Sequence, residues 1–161
     1  MDALSENSET GCCPRFDPEP WDEKEVVWEG KLFLKDRVRC FLHVPLNMEK
    51  VVVRKMQKIE AADARPPEPL MLSDCVSLWR TDLYIAVTKE IPGTDSVRIS
   101  GTFLTKVYEG PYKDSGKWYR QMADYVKSKG REAKKLYAFY TTCPRCAKVY
   151  GKNYTVLFAK V

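Results

Sequence analysis

The chain has 161 residues, a net charge of +5, and 44% hydrophobic and 30% charged side chains, enough for one well-filled core and too little for two robust independent ones. Basic and acidic residues are interleaved, as in Lys127 to Lys135 with Glu132 among them, so they read as solvated surface and no nucleic-acid partner is expected. No apolar run reaches bilayer-spanning length, and the first residues lack the basic and apolar blocks of a signal peptide; a cytoplasmic protein with no membrane partner is expected.

Residues 1 to 10 are polar and without periodicity, which predicts a disordered N-terminus ahead of one domain spanning residues 11 to 161. Pro14, Pro18 and Pro20 forbid regular helix in the next stretch, and Phe16 and Trp21 offer anchors, which predicts an ordered arm. From Glu25 to Lys35 the apolar positions Val26, Trp28, Leu32 and Leu34 are spaced in twos, the period of a strand, with a turn expected at Gly30. Val38, Cys40, Leu42 and Val44 continue the alternation in a second strand. Asn47 is placed to cap a helix in which Met48, Val51, Val52, Met56 and Ile59 recur at steps of three and four, ending near Ala62. Prolines 66, 67 and 69 then lead into a short strand, Leu70 to Ser73, and a longer one, Asp82 to Glu90, completes a first half of about residues 25 to 92.

The order repeats after Pro92-Gly93, over about residues 97 to 161. A strand over Arg98 to Tyr108 is followed by a helix over Ser115 to Lys129, with Trp118, Met122, Tyr125 and Val126 on one face and Gly130 placed to end it. Strands Lys135 to Thr142 and Asn153 to Lys160 close the chain. The fold class expected is α+β, as two tandem strand-helix-strand-strand (SHS2-like) halves, with an antiparallel sheet carrying two helices.

Ser100-Gly101-Thr102-Phe103, Tyr108-Glu109-Gly110-Pro111-Tyr112 and Trp118 resemble the strand, the His/Tyr-x-Gly-Pro-Tyr turn and the helix tryptophan of the GyrI-like family, which includes the gyrase-inhibitory protein SbmC and the effector-binding domains of multidrug-responsive activators. The segment Thr141-Thr142-Cys143-Pro144-Arg145-Cys146-Ala147 is similar to that of a subgroup labelled hydrolases. The resemblance implies two such units side by side and a ligand cleft along their junction. It also implies an aromatic, often cationic or electrophilic ligand, and in some members hydrolysis of cyclopropane-bearing alkylating compounds. The family's glutamate on the penultimate strand has no counterpart in Leu136-Tyr137-Ala138-Phe139-Tyr140.

Trp79, Tyr84, Tyr108, Trp118, Tyr137 and Tyr140 are the candidate ligand-binding residues, because flat rings with phenol or indole donors suit planar molecules. The alternative is that Trp118 and about half of the tyrosines are core packing. Hydrolysis needs a base to activate water and a donor for the leaving atom. Glu109 and Asp82 are the candidate bases and Tyr112 or Tyr140 the candidate donor, set against their reading as a turn acid and a strand-start acid. The sole histidine, His43, has no nucleophile motif near it, so a Ser-His-Asp or Cys-His mechanism is not expected. Cys40 and Cys75 read as small core residues. Cys143 and Cys146 have the spacing of a zinc or redox pair, and Cys12 and Cys13 are candidates for the remaining metal ligands, set against plain turn cysteines.

The leading expectation is a binder of aromatic or electrophilic small molecules, with possible hydrolysis and no required cofactor. Its alternatives are a non-catalytic binding or sequestering module and a cysteine-based zinc or thiol protein. The sequence leaves oligomeric state open.

Overall fold

A computed structural model describes residues 18–42, 44–66, 70–141 and 154–161. The expectations for residues 1 to 10 and for Cys12, Cys13, His43, Cys143 and Cys146 therefore lie outside the described residues, as does the side chain of Tyr112. The elements are β1 (Lys24–Phe41), β2 (Val44–Pro45), α1 (Met48–Ala61), β3 (Met71–Ser77), β4 (Arg80–Ala86), β5 (Ser96–Glu109), a 3-10 turn (Tyr112–Asp114), α2 (Ser115–Ser128), β6 (Lys135–Tyr140) and β7 (Tyr154–Lys160). This is a sheet-rich α+β fold with antiparallel strands. The chain divides into two compact units, Trp28–Ser100 and Gly101–Val161 with the residues up to Val27. Among the described residues no helix is long and apolar enough to cross a membrane.

In the unit Trp28–Ser100, β1 pairs with β2 and β4, and β4 pairs with β3, all antiparallel. The period-2 alternation turns Leu32, Leu34 and Val38 of β1 and Leu83 and Ile85 of β4 to one face, where they meet Val51 and Ile59 of α1. Burying each such side chain contributes about 1.5–3 kcal/mol, which is why a helix with this spacing forms here. Three sequence expectations change. β1 is continuous through Gly30, whose φ of +63° accommodates an irregularity inside the strand in place of a turn; its N–H donates to Ser100 Oγ at 2.7 Å and its carbonyl accepts from Arg98 at 3.1 Å. Asn47 stands at the N-cap of α1 without capping it, because its Oδ1 accepts from the backbone N–H of Arg39 at 2.8 Å. Cys40 is buried as expected but Cys75 is exposed, since β3 leaves the core after Asp74 and its pairing slips between Cys75 and Ser77.

In the unit containing Gly101–Val161, β7 lies between β5 and β6, antiparallel to both. Leu104 and Tyr108 of β5, Ala138 of β6 and Leu157 and Ala159 of β7 meet Trp118, Met122 and Val126 of α2. Helix α2 ends as expected at Gly130, where the N–H groups of Gly130 and Arg131 bond to the carbonyls of Lys127 and Val126 at 2.9 and 3.1 Å, satisfying the last turn. On the opposite face Trp21 packs edge-on against Phe158 and Phe139, with ring centroids 5.6 and 6.5 Å away. This part of the expected arm is pinned to β5 by Asp22, whose Oδ1 accepts from Val107 N–H at 3.1 Å. The order is β1, β2, α1, β3, β4 in the first unit and β5, α2, β6, β7 in the second; β4 pairs with β1 and β3, and β7 with β5 and β6.

Candidate functional site

The strand alternation that sends Leu83 and Ile85 toward α1 sends Asp82 and Tyr84 to the other face of the sheet. Cross-strand register then fixes their neighbours. Arg37 of β1 and Asp74 of β3 stand opposite Asp82, while Lys35 and Leu72 stand opposite Tyr84. Asp82 is 4% and Asp74 9% exposed, so two buried carboxyl groups sit side by side, an arrangement that destabilises a sheet unless cations offset it.

The offset comes from Lys35, whose Nζ is 3.8 Å from Asp82 Oδ2, and from Arg80, whose Nε is 3.2 Å from Asp82 Oδ1. The latter approach is not aligned as a hydrogen bond and leaves both buried atoms without a hydrogen-bond partner among the described residues. Lys35 Nζ also lies 5.8 Å from the centroid of the Tyr84 ring, within cation-π range, and the ring meets Phe33 edge-on at 6.5 Å. The Lys35 and Arg80 side chains keep 36% and 41% of their exposure, so the buried acids have a solvent-facing rim of two cations. A carboxylate, a phenol and paired cations on one face can bind a polar or charged group and exchange protons with it.

Asp82 and Tyr84 were both legible as candidates; Asp74, Lys35 and Arg80 were not. The available signal was Asp74 at an alternate position of a short strand whose neighbours Leu72 and Ser73 are buried. The remaining candidates lie elsewhere. Glu109 is exposed at the end of β5, opposite Tyr154. Tyr108 and Trp118 are brought together as a stacked pair under α2, 6.1 Å apart, and the Tyr108 hydroxyl meets Met122 Sδ at 3.9 Å. Burial, and secondarily the negative charges of Asp22 and Glu23, push the Tyr108 phenol up to about 12. Tyr140 stands opposite Thr155 on that same face. Tyr137 is on the other face, 6.2 Å from Phe103, with Lys135 Nζ 5.3 Å from its ring centroid. Trp79 occupies the turn between β3 and β4, 55% exposed, against Phe41. Among the described residues no group of three or more His, Cys, Asp or Glu is arranged to hold a metal ion.

A family model described as Bacterial hydrolase matches residues 3–161. The chain belongs to this family. No curated protein sequence matches it. Several solved structures share its fold: the EcmrR C-terminal domain (TM-score 0.63, 13% identity, 87% of this chain and 96% of that one) and a hydrolase from Listeria innocua (TM-score 0.61, 12% identity, 87% and 92%). A third is SAV2435 bound to tetraphenylphosphonium (TM-score 0.52, 11% identity, 86% and 92%). At these identities the likeness is one of fold.

Proposed function

We propose that this member of the Bacterial hydrolase family binds an aromatic, electrophilic small molecule and hydrolyses it at the carboxylate of Asp82. The observation that carries the reading is the cluster of Asp82, Lys35 and Arg80 beside Tyr84 on one sheet face. Water attacks the electrophilic carbon while Asp82 takes its proton. The bond from that carbon to the leaving atom breaks, its electron pair stays with the leaving atom, and Tyr84 supplies the proton. Glu109, exposed at the end of a strand, has no such cations beside it among the described residues. The aromatic ligand class is supported by the Tyr84 ring beside the cluster and by a fold neighbour bound to tetraphenylphosphonium, an aromatic cation. Duplication of one strand-helix-strand-strand unit, with the short β2 added in the first copy, is supported by the last strand of each unit lying between two others.

A second reading, binding without turnover, is favoured by one feature: the Asp82 carboxylate is already engaged by two cations. One experiment separates the two. Planar aromatic and cyclopropane-bearing compounds are screened by thermal shift, with chromatographic detection of hydrolysed product. The hydrolase reading expects a shift and product in the native protein, a shift without product in Asp82→Asn, and retained product in Glu109→Gln. Product that persists in Asp82→Asn overturns the role of Asp82, and a shift with no product in any form establishes the binding module.

A further inference from the structure

Two hairpin ends in the unit Trp28–Ser100 leave large apolar side chains in solvent. Phe41 is 56%, Leu42 55% and Leu46 67% exposed at the end of β1 and beyond β2, and Val76, Leu78 and Trp79 are 45%, 42% and 55% exposed around the β3–β4 turn. The two ends form one surface: Cys40 N–H donates to the Trp79 carbonyl at 2.8 Å, and the Phe41 and Trp79 rings meet edge-on at 5.6 Å. Six exposed apolar residues on two hairpin ends joined through Phe41 and Trp79 make a surface of the kind that marks an interaction site.

The charge around the patch selects its occupant. Among the described residues the side chains of Arg37, Arg39 and Lys50 make no ion pair. Arg39 lies at the corner of the patch, its carbonyl accepting from Leu46 N–H at 2.9 Å and its Cα opposite Arg80, and Lys50 stands in the first turn of α1, four residues beyond Leu46. Among the described residues the nearby acids Asp36 and Asp82 are already used, Asp36 by Arg54 and Lys55 and Asp82 by Lys35 and Arg80. The surface is therefore apolar at the tip and cationic at its border. A second copy of the same patch would set these cations against their like, which opposes self-association. A polyanion such as a nucleic acid would neutralise the cations but leave the apolar tips in water.

We propose that this patch docks on an anionic lipid bilayer, with Phe41, Leu42, Leu46, Leu78 and Trp79 entering the headgroup boundary and Arg39 and Lys50 meeting lipid phosphates. The combination of apolar burial and attraction to anionic headgroups is what holds a peripheral protein at a membrane surface, and an indole at such a tip matches the interfacial preference of tryptophan. The docking is independent of the Asp82 site, and it departs from the sequence expectation of no membrane partner, which rested on bilayer-spanning and signal-peptide features alone.

The full chain is sedimented with vesicles of phosphatidylcholine alone and of phosphatidylcholine with phosphatidylglycerol, with its solution mass measured in parallel by light scattering. The proposal expects binding to the anionic vesicles, little to the neutral ones, and a monomer in solution. Arg39→Gln with Lys50→Gln lowers the affinity roughly thirtyfold. Phe41→Ser with Trp79→Ser abolishes binding while leaving circular dichroism and thermal melting in place, because both side chains are more than half exposed. Absence of binding to either vesicle overturns the proposal, as does binding untouched by the Phe41 and Trp79 changes. A concentration-dependent dimer dissociated by Trp79→Ser overturns it in favour of a second copy.

Discussion

The indole of Trp118 lies stacked on the phenol of Tyr108, with ring centroids 6.1 Å apart and planes inclined by 19°. Both residues are buried, at 5% and 8% exposure, so the pair joins the first turn of α2 to the end of β5. Truncation should open a large cavity. Trp118→Ala is expected to cost about 3–5 kcal/mol and Trp118→Phe roughly half of that, read from urea unfolding at neutral pH. A loss below about 1 kcal/mol for the alanine variant would mean that the stack does not hold the helix down.

The same burial fixes when the Tyr108 hydroxyl ionises. Removal from water, with Asp22 and Glu23 nearby, raises the phenol to about 12 from a usual 10. A group that holds its proton more tightly in the folded state contributes stability that is fully present below the unfolded value and is lost as pH rises through the folded one. Stability should therefore decline between about pH 10 and 12, and in an ultraviolet titration of the native protein Tyr108 should ionise near the upper end of that range. Tyr108→Phe should remove that late step and flatten the decline.

Gly110 explains why the turn after β5 reads as it does. Its φ is +144°, and a Cβ there would come within 3.4 Å of Trp118 Cζ2 and 3.6 Å of Asp114 Oδ2. The glycine of the Tyr-x-Gly-Pro-Tyr pattern thus meets a backbone requirement beside a packed indole. Gly110→Ala is expected to cost about 1–3 kcal/mol, checked by thermal melting, with the near-ultraviolet circular dichroism of Trp118 changed. An unchanged melt would show that the turn relaxes freely.

The strands and helices were legible because their periods are clean. Val51, Ile59 and Trp118, Met122, Val126 mark single helix faces, and Leu83 and Ile85 mark the core face of β4. Legibility failed where a polar atom had two possible partners or a turn residue two possible roles. Asn47 was read as a cap on local grounds, whereas its Oδ1 bonds Arg39 across the corner of β1 and β2; Gly30 was read as a turn, whereas strand pairing runs through it. The candidate site was half visible. Asp82 stood out as an acid in an apolar strand, but Asp74, Lys35 and Arg80 join it only through the register of β1, β4 and β3, and register is a property of paired strands that no single segment carries.

Asp36 and Lys55 supply a second buried charge pair, with Nζ 3.3 Å from Oδ2 and side chains 10% exposed for Lys55 and 23% for Asp36. Burial pulls the Asp36 carboxyl upward, but the Arg37 N–H together with the Lys55 and Arg54 cations outweighs it and holds the group below its usual 3.8. A depressed carboxyl contributes stability that is present above the unfolded value and lost as pH falls through the folded one. Asp36→Asn would leave the Lys55 ammonium buried without its anion, and Arg54 at 3.3 Å would lose the same partner. The expected cost at neutral pH is about 2 kcal/mol, below the range for fully enclosed pairs because Asp36 keeps some contact with water. Urea unfolding at neutral pH and near about pH 3 tests the sign. The gap between native and variant proteins should narrow in acid, whereas a gap that is constant down the pH range would assign the loss to packing and not to the charge pair.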